Sequence, residues 1–130
     1  MEGSGTRPRA VMIGLPAVNT YAPAHILPLI GKELAELPGL MADAGIDYEF
    51  DPVTPGENIA ELGPKLESQR PDVVVIGNGI RGTMELTHFM EQIIDVVRTH
   101  APQAKLAFNT MPVNTVDAVK RWLPTAPAAK

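Results

Sequence analysis

The segment "DVVVIGNGIRGTMELTHF" (residues 72–89) sets Gly77, Gly79 and Gly82 in a G-x-G-x-x-G pattern behind an apolar run, with Asn78, Arg81 and Thr83 among them. Glycine lets a backbone approach a ligand closely, the first N–H groups of a following helix lack internal acceptors, and an arginine adds a charged fork. Together these suit a phosphate or carboxylate. The same letters open dinucleotide-binding turns, but that fingerprint follows the first strand of its unit and has an acid about 20 residues on, at the end of the next strand. Here the pattern follows the third apolar run, and Asp95 falls inside a helical segment, so no dinucleotide and no other cofactor is expected. An anion site requires the Arg81 guanidinium to face a crevice and the amides of residues 78–83 to be free. In the competing reading the glycines merely turn the chain and Arg81 pairs with Glu85.

Glu85 and His88 are the candidates for acid–base work, one or two turns into the helix that follows the glycines; the alternative is an exposed helical pair. Glu85-x-x-His88 also has metal-ligand spacing, but diiron bundles need two such motifs on different helices. His25, His88 and His100 are scattered, and on one helix the last two point about 120° apart. No metal site is expected. With no cysteine there is no thiolate and no disulfide. No P-loop, G-x-S-x-G elbow or H-E-x-x-H occurs. A phospho-receiver needs acids where this chain has Leu15-Pro16 and Gly77-Asn78, and a flavodoxin needs a more hydroxyl-rich first loop than Thr20 and Tyr21 provide.

The elements that must position these residues read as alternating strands and helices. "RAVMIGL" (residues 9–15) and "DVVVIG" (72–77) are continuously apolar, as strands covered on both faces are, whereas "IDYEFDPV" (46–53) alternates like an edge strand. "AKLAFNT" (104–110) is intermediate. Between the last two runs, Leu86, Phe89, Met90, Ile93, Ile94 and Val97 form one helical apolar face. Thr83 is expected to cap that helix, and Thr54-Pro55-Gly56-Glu57 to form a capping box for the helix before it. Pro28 and "LPG" (37–39) are expected to break the first crossover in two, and Gly63-Pro64 to kink or split the second helix. A short helix over residues 114–123 carries Trp122.

This alternation predicts an α/β three-layer sandwich with a four-stranded parallel sheet of order 2-1-3-4, flavodoxin- or Rossmann-like. In such sheets ligands sit beyond the carboxyl ends of the strands where the order reverses. The loops there gather Asn19, Thr20, Asn78, Gly79, Arg81, Gly82, Thr83, Asn109 and Thr110 as candidate ligand-binding residues.

The 130 residues carry a net charge of −4, with 45% hydrophobic and 20% charged residues. That gives no basic footprint for nucleic acid, and no run reaches the roughly 20 apolar residues of a membrane span. A cytoplasmic domain is expected over residues 9–123, with a flexible leader over 1–8 and a mobile tail over 124–130. Open sheet edges and the Trp122 helix predict a homodimer.

"VVVIGNGIRG" and "HFMEQIIDVVRTHAPQAKLAFNTMPVNTVDAVKRWL" resemble a group of small bacterial Rossmann-like proteins of unknown function, which share an I-G-x-G-[VI]-R turn and an F-N-T-x-P-x-[DN]-T segment before a Trp-bearing helix. The resemblance implies the same fold and points to the same loops, and it supplies no reaction. The functional expectation is therefore a small-molecule site for an anionic group. The alternative is a non-catalytic module that dimerises or binds a protein through the fourth strand and last helix.

Overall fold

A computed structural model describes residues 7–123, and the expected tail lies outside them. Of the expected leader, Arg7 and Pro8 are described and are tied down. Arg7 Nε is 3.4 Å from Asp47 Oδ1, and Pro8 O accepts the Asp47 N–H at 2.9 Å.

Four parallel strands form one sheet in the order β2-β1-β3-β4: β1 (Arg9–Gly14), β2 (Asp47–Pro52), β3 (Val73–Ile76) and β4 (Lys105–Phe108). The pattern of side chains accounts for this order. Every residue of β3, and every residue of β1 after Arg9, is buried, as central strands covered on both faces require. β2 alternates outward and inward and lies at an edge. In register, Met12 of β1 stands between Phe50 of β2 and Val75 of β3.

The helices are α1 (Leu27–Asp43), α2 (Ile59–Gln69), α3 (Asn78–Arg81), α4 (Thr87–His100) and α5 (Thr115–Lys120). Val11, Ile13, Val74 and Ile76 face one core with α2 and α4, where Leu66, Phe89, Ile93 and Val97 cover them. Ala10, Met12, Val73 and Val75 face the other core, against Leu37 and Met41 of α1 and Val119 of α5. Full burial of each of these side chains larger than alanine is worth roughly 1.5–3 kcal/mol. The two sheet faces thus supply most of the force that holds the layers together.

Local expectations failed at the prolines. α1 is one unbroken helix of 17 residues with Pro28 in its first turn and Pro38 inside it. Pro28 sits where an N–H has no internal acceptor anyway. Pro38 removes one helical bond, but Leu37 and Met41 beside it are completely buried, and their burial outweighs that loss. α2 likewise runs through Gly63-Pro64 without a break. The expected capping box at Thr54 is absent: α2 starts later, behind Asn58, whose Oδ1 accepts the Thr54 N–H at 2.9 Å.

Candidate functional site

At the carboxyl ends of β1, β3 and β4 the layers part to leave a cleft of about 210 Å³. Its floor is Met12, Gly14, Gly77 and Asn109. One wall is apolar and comes from Phe50, from Ile26 just before α1, and from Ile30 and Leu34 within it, spaced i, i+4, i+8. Leu15, Pro16, Tyr21 and Met111 add further apolar surface. Asn78, Gly79, Gly82, Thr83 and Thr110 bring the polar groups.

Asn19, Asn78, Gly79, Gly82, Thr83, Asn109 and Thr110 of the expected set line this cleft, whereas Thr20 and Arg81 do not. The glycine segment also folds differently from a turn with open amides. Residues 78–81 make a single helical turn, and most of the amides over residues 78–83 are in use. Asn78 N–H is given to Asn109 Oδ1 at 2.9 Å. The Ile80 and Arg81 amides both bond to Gly77 O, the Gly82 amide to Asn78 O, and the Thr83 amide to Ile80 O. Among the described residues only the Gly79 N–H of this set lacks an acceptor. The expectation of a free row of amides is therefore corrected.

Arg81 is committed as well. Its Nη2 donates to Asn78 Oδ1 at 3.0 Å and to Asn109 O at 3.1 Å, and its guanidinium carbon lies 5.9 Å from the centre of the Phe108 ring. It turns towards β4 and not to Glu85, so neither expected orientation is found. Asn78 Oδ1, one helical turn back, and Asn109 O and the Phe108 ring, far away in the chain, hold the guanidinium through Nη2, and no carboxylate among the described residues pairs with it.

Gly82 is the glycine of the pattern that the local packing requires. A Cβ there would stand 2.9 Å from Asn78 O and 3.1 Å from Asn78 Oδ1, while one at Gly79 would meet Leu15 Cδ1 at an ordinary 3.4 Å. Thr83 precedes a 3-10 turn (Met84–Leu86) without capping it by its side chain; its hydroxyl donates instead to Gly79 O at 2.6 Å.

The neighbouring loops are pinned by asparagines. Asn19 Oδ1 accepts the N–H groups of Tyr21 and Ala22 at 2.8 and 2.9 Å, and its Nδ2 donates to Pro16 O at 2.9 Å. Asn109 is buried, and its Nδ2 donates to Thr115 Oγ1 at 2.8 Å and to Met12 Sδ at 3.3 Å. Asn114 Oδ1 accepts the Thr110 N–H at 3.1 Å while its Nδ2 donates to Thr110 Oγ1 at 2.6 Å. Asn19 and Asn109, expected to meet a ligand, both line the cleft, and their side-chain hydrogen bonds also shape its walls.

The acid–base candidates lie elsewhere. Glu85 is exposed on the 3-10 turn, and His88, 97% exposed, pairs with Glu91 at 3.5 Å. Neither lines the cleft. Among the described residues, no group of three or more His, Cys, Asp or Glu could hold a metal ion. Tyr48, also outside the cleft, has its phenol pushed above the ordinary 10.0, first by burial and then by the negative charge of Asp51.

Sequence reasoning missed the apolar wall. The spacing of Ile26, Ile30 and Leu34 was visible, but nothing local distinguishes a helical stripe that covers a sheet from one that overhangs its end. No helix among the described residues is long and apolar enough to cross a membrane. Comparisons of the chain with protein-family models, with curated proteins and with solved structures each found no match.

Proposed function

We propose that the protein binds a small molecule in the cleft at the carboxyl ends of β1, β3 and β4. The observation that carries this reading is the cleft itself: a concave, mostly apolar cavity at the point where strand order reverses, with a few polar groups at one end. Its loops are held by their own hydrogen bonds, so little ordering cost falls on the ligand. The volume of about 210 Å³ lies between the roughly 150 Å³ of a benzene-sized cavity and the roughly 300–1,000 Å³ of drug-sized pockets. A compact ligand follows. The lining holds no histidine, carboxylate, lysine or arginine, which favours binding over catalysis.

Titrating a library of small aromatic and aliphatic fragments into the labelled protein, followed by amide chemical shifts, tests this. Hits are expected to move Gly14, Gly77, Gly79, Thr83 and Met111 together. If no fragment moves these amides, or hits cluster elsewhere, the reading fails.

The second reading, a module that dimerises through β4 and the last helix, draws on Phe108 and Trp122, which are 36% and 48% exposed. Strand addition at that edge is opposed by Arg121, whose Nη2 already fills Phe108 O at 3.1 Å. A dimer through the Trp122 surface predicts that sedimentation at micromolar concentration gives twice the 14.0 kDa chain mass and that Trp122→Ala returns it to the monomer.

A further inference from the structure

The hydrogen-bond inventory of the cleft is lopsided. Its acceptors are mostly spent: Asn109 Oδ1 on Asn78 N–H, Asn19 Oδ1 on two loop amides, and Asn78 Oδ1 on Arg81. Donors remain. Gly79 N–H has no acceptor among the described residues. The Thr110 oxygen accepts from Asn114 Nδ2, which leaves its own proton to give. Asn78 Nδ2 likewise has no acceptor among the described residues, because the carboxamide is oriented by its oxygen. The polar end of the cavity therefore offers three donors, and the side-chain oxygens left to accept there are the hydroxyls of Thr83, whose proton goes to Gly79 O, and Tyr21.

Charge is missing from the same place. None of the residues that line the cavity is ionisable as an acid or a strong base, apart from the phenol of Tyr21. Of the charged groups bonded to its rim, Arg81 is held by Asn78 Oδ1, Asn109 O and the Phe108 face. Glu33 is a carboxylate, its Oε1 accepting the Val113 N–H at 3.0 Å. The whole chain carries −4. An anion entering this cavity would shed its water against apolar walls and meet no charged side chain in the lining, since the Arg81 guanidinium is held behind Asn78 and Asn109, and that is the costly case. A neutral acceptor such as a carbonyl would meet the free donors at much smaller desolvation cost.

We infer that the cleft selects an uncharged, compact ligand with an apolar body and one hydrogen-bond-accepting head group, of the amide, ketone or ester class, over a carboxylate or phosphate of the same shape. This rests on the small-molecule reading above and replaces the anionic class that the glycine segment suggests.

Matched probes test it. Phenylacetamide and phenylacetate, and hexanamide and hexanoate, are titrated to millimolar concentration into wild type, Gly79→Ala and Ile30→Phe, with amide shifts as the readout. The two variants add bulk from different walls, so a folding failure in one leaves the other informative. The neutral member of each pair is expected to move the Gly79 and Thr110 amides and to bind roughly tenfold or more tightly than its carboxylate. Both variants are expected to weaken that response. A carboxylate that binds the cleft as well as its amide overturns the ligand class and leaves the cleft reading standing. If phenylacetamide and hexanamide leave the cleft amides unmoved while other fragments move them, the class is again wrong. A response that survives both variants unchanged places the ligand elsewhere and overturns both readings.

Discussion

Gly63 and Gly79 stand in opposite circumstances. Gly79 belongs to a glycine pattern that looks functional, yet a methyl group there would meet Leu15 at an ordinary distance. Gly63 belongs to no motif, sits beside Pro64 in the middle of α2, and has the His100 ring pressed against it so closely that a Cβ would come within 2.6 Å of two ring atoms. The difference lies in what surrounds them. Around Gly63, α2 packs on α4 and the space is filled; His100 Nδ1 is 2.6 Å from Glu67 Oε2, and Asp51 of β2, 2% exposed, is held by Lys65 at 3.1 Å and Gln69 at 2.9 Å. Around Gly79 the elements end and leave a cavity. A glycine matters for packing where helices cross and for ligand access where they part, and only the neighbours decide which.

The filled region should give the largest effects. Lys65→Met removes the cation from a carboxylate whose Oδ2 is already buried without a partner among the described residues. Because Lys65 is itself half exposed, the cost falls below that of breaking a fully buried pair: about 2 kcal/mol in urea unfolding. Adding Asp51→Leu is expected to recover part of it; a double variant worse than the sum of the two single changes would break this account.

Gly63→Ala is expected to cost about 1–2 kcal/mol, because the His100 ring must leave its place. The same change made with His100→Ala should be tolerated far better, and a thermodynamic cycle over the pair measures the coupling. Equal costs with and without the imidazole would sink the contact as the cause.

A smaller effect concerns alkali. The buried Tyr48 phenol is raised above its ordinary 10.0, so it keeps its proton in the folded chain when the unfolded chain would lose it. Its contribution is complete below about pH 10 and is lost as pH rises beyond that. Wild type should therefore lose more stability than Tyr48→Phe between about pH 9 and about pH 11. Parallel melting curves for the two proteins would contradict the burial argument.

Gly79→Ala should change stability by no more than about 0.5 kcal/mol, the smallest effect of the series. A large loss would mean that the two glycines are alike, and the comparison would fail.

The sheet order was legible because burial on both faces leaves a plain signature: "AVMIGL" and "VVVIG" have no outward position, while "DYEFDP" alternates. The helices were legible in period but not in extent, since whether Pro38 and Pro64 end a helix depends on the tertiary burial of their neighbours. The site was legible as a place. Seven of the nine expected binding residues line the cleft, because topology brings those loop ends together. Its chemistry was not, because the direction of Arg81 is fixed by Asn109 O and Phe108, which lie 28 and 27 positions away. Nothing near Arg81 in the chain announces them.

The bond from Asn78 N–H to the buried Asn109 side chain has a consequence for how the molecule breathes. Asn109 also reaches Thr115 and, across 97 positions, Met12, so one side chain couples β1, β4, α5 and the start of α3. The Asn78 proton cannot meet solvent base by fraying of its own turn, since its acceptor lies on the segment that leaves β4. Its exchange should follow the opening of β4 and α5 as one cooperative unit, and Asn109→Ala should convert that slow proton into one that exchanges like an ordinary loop amide.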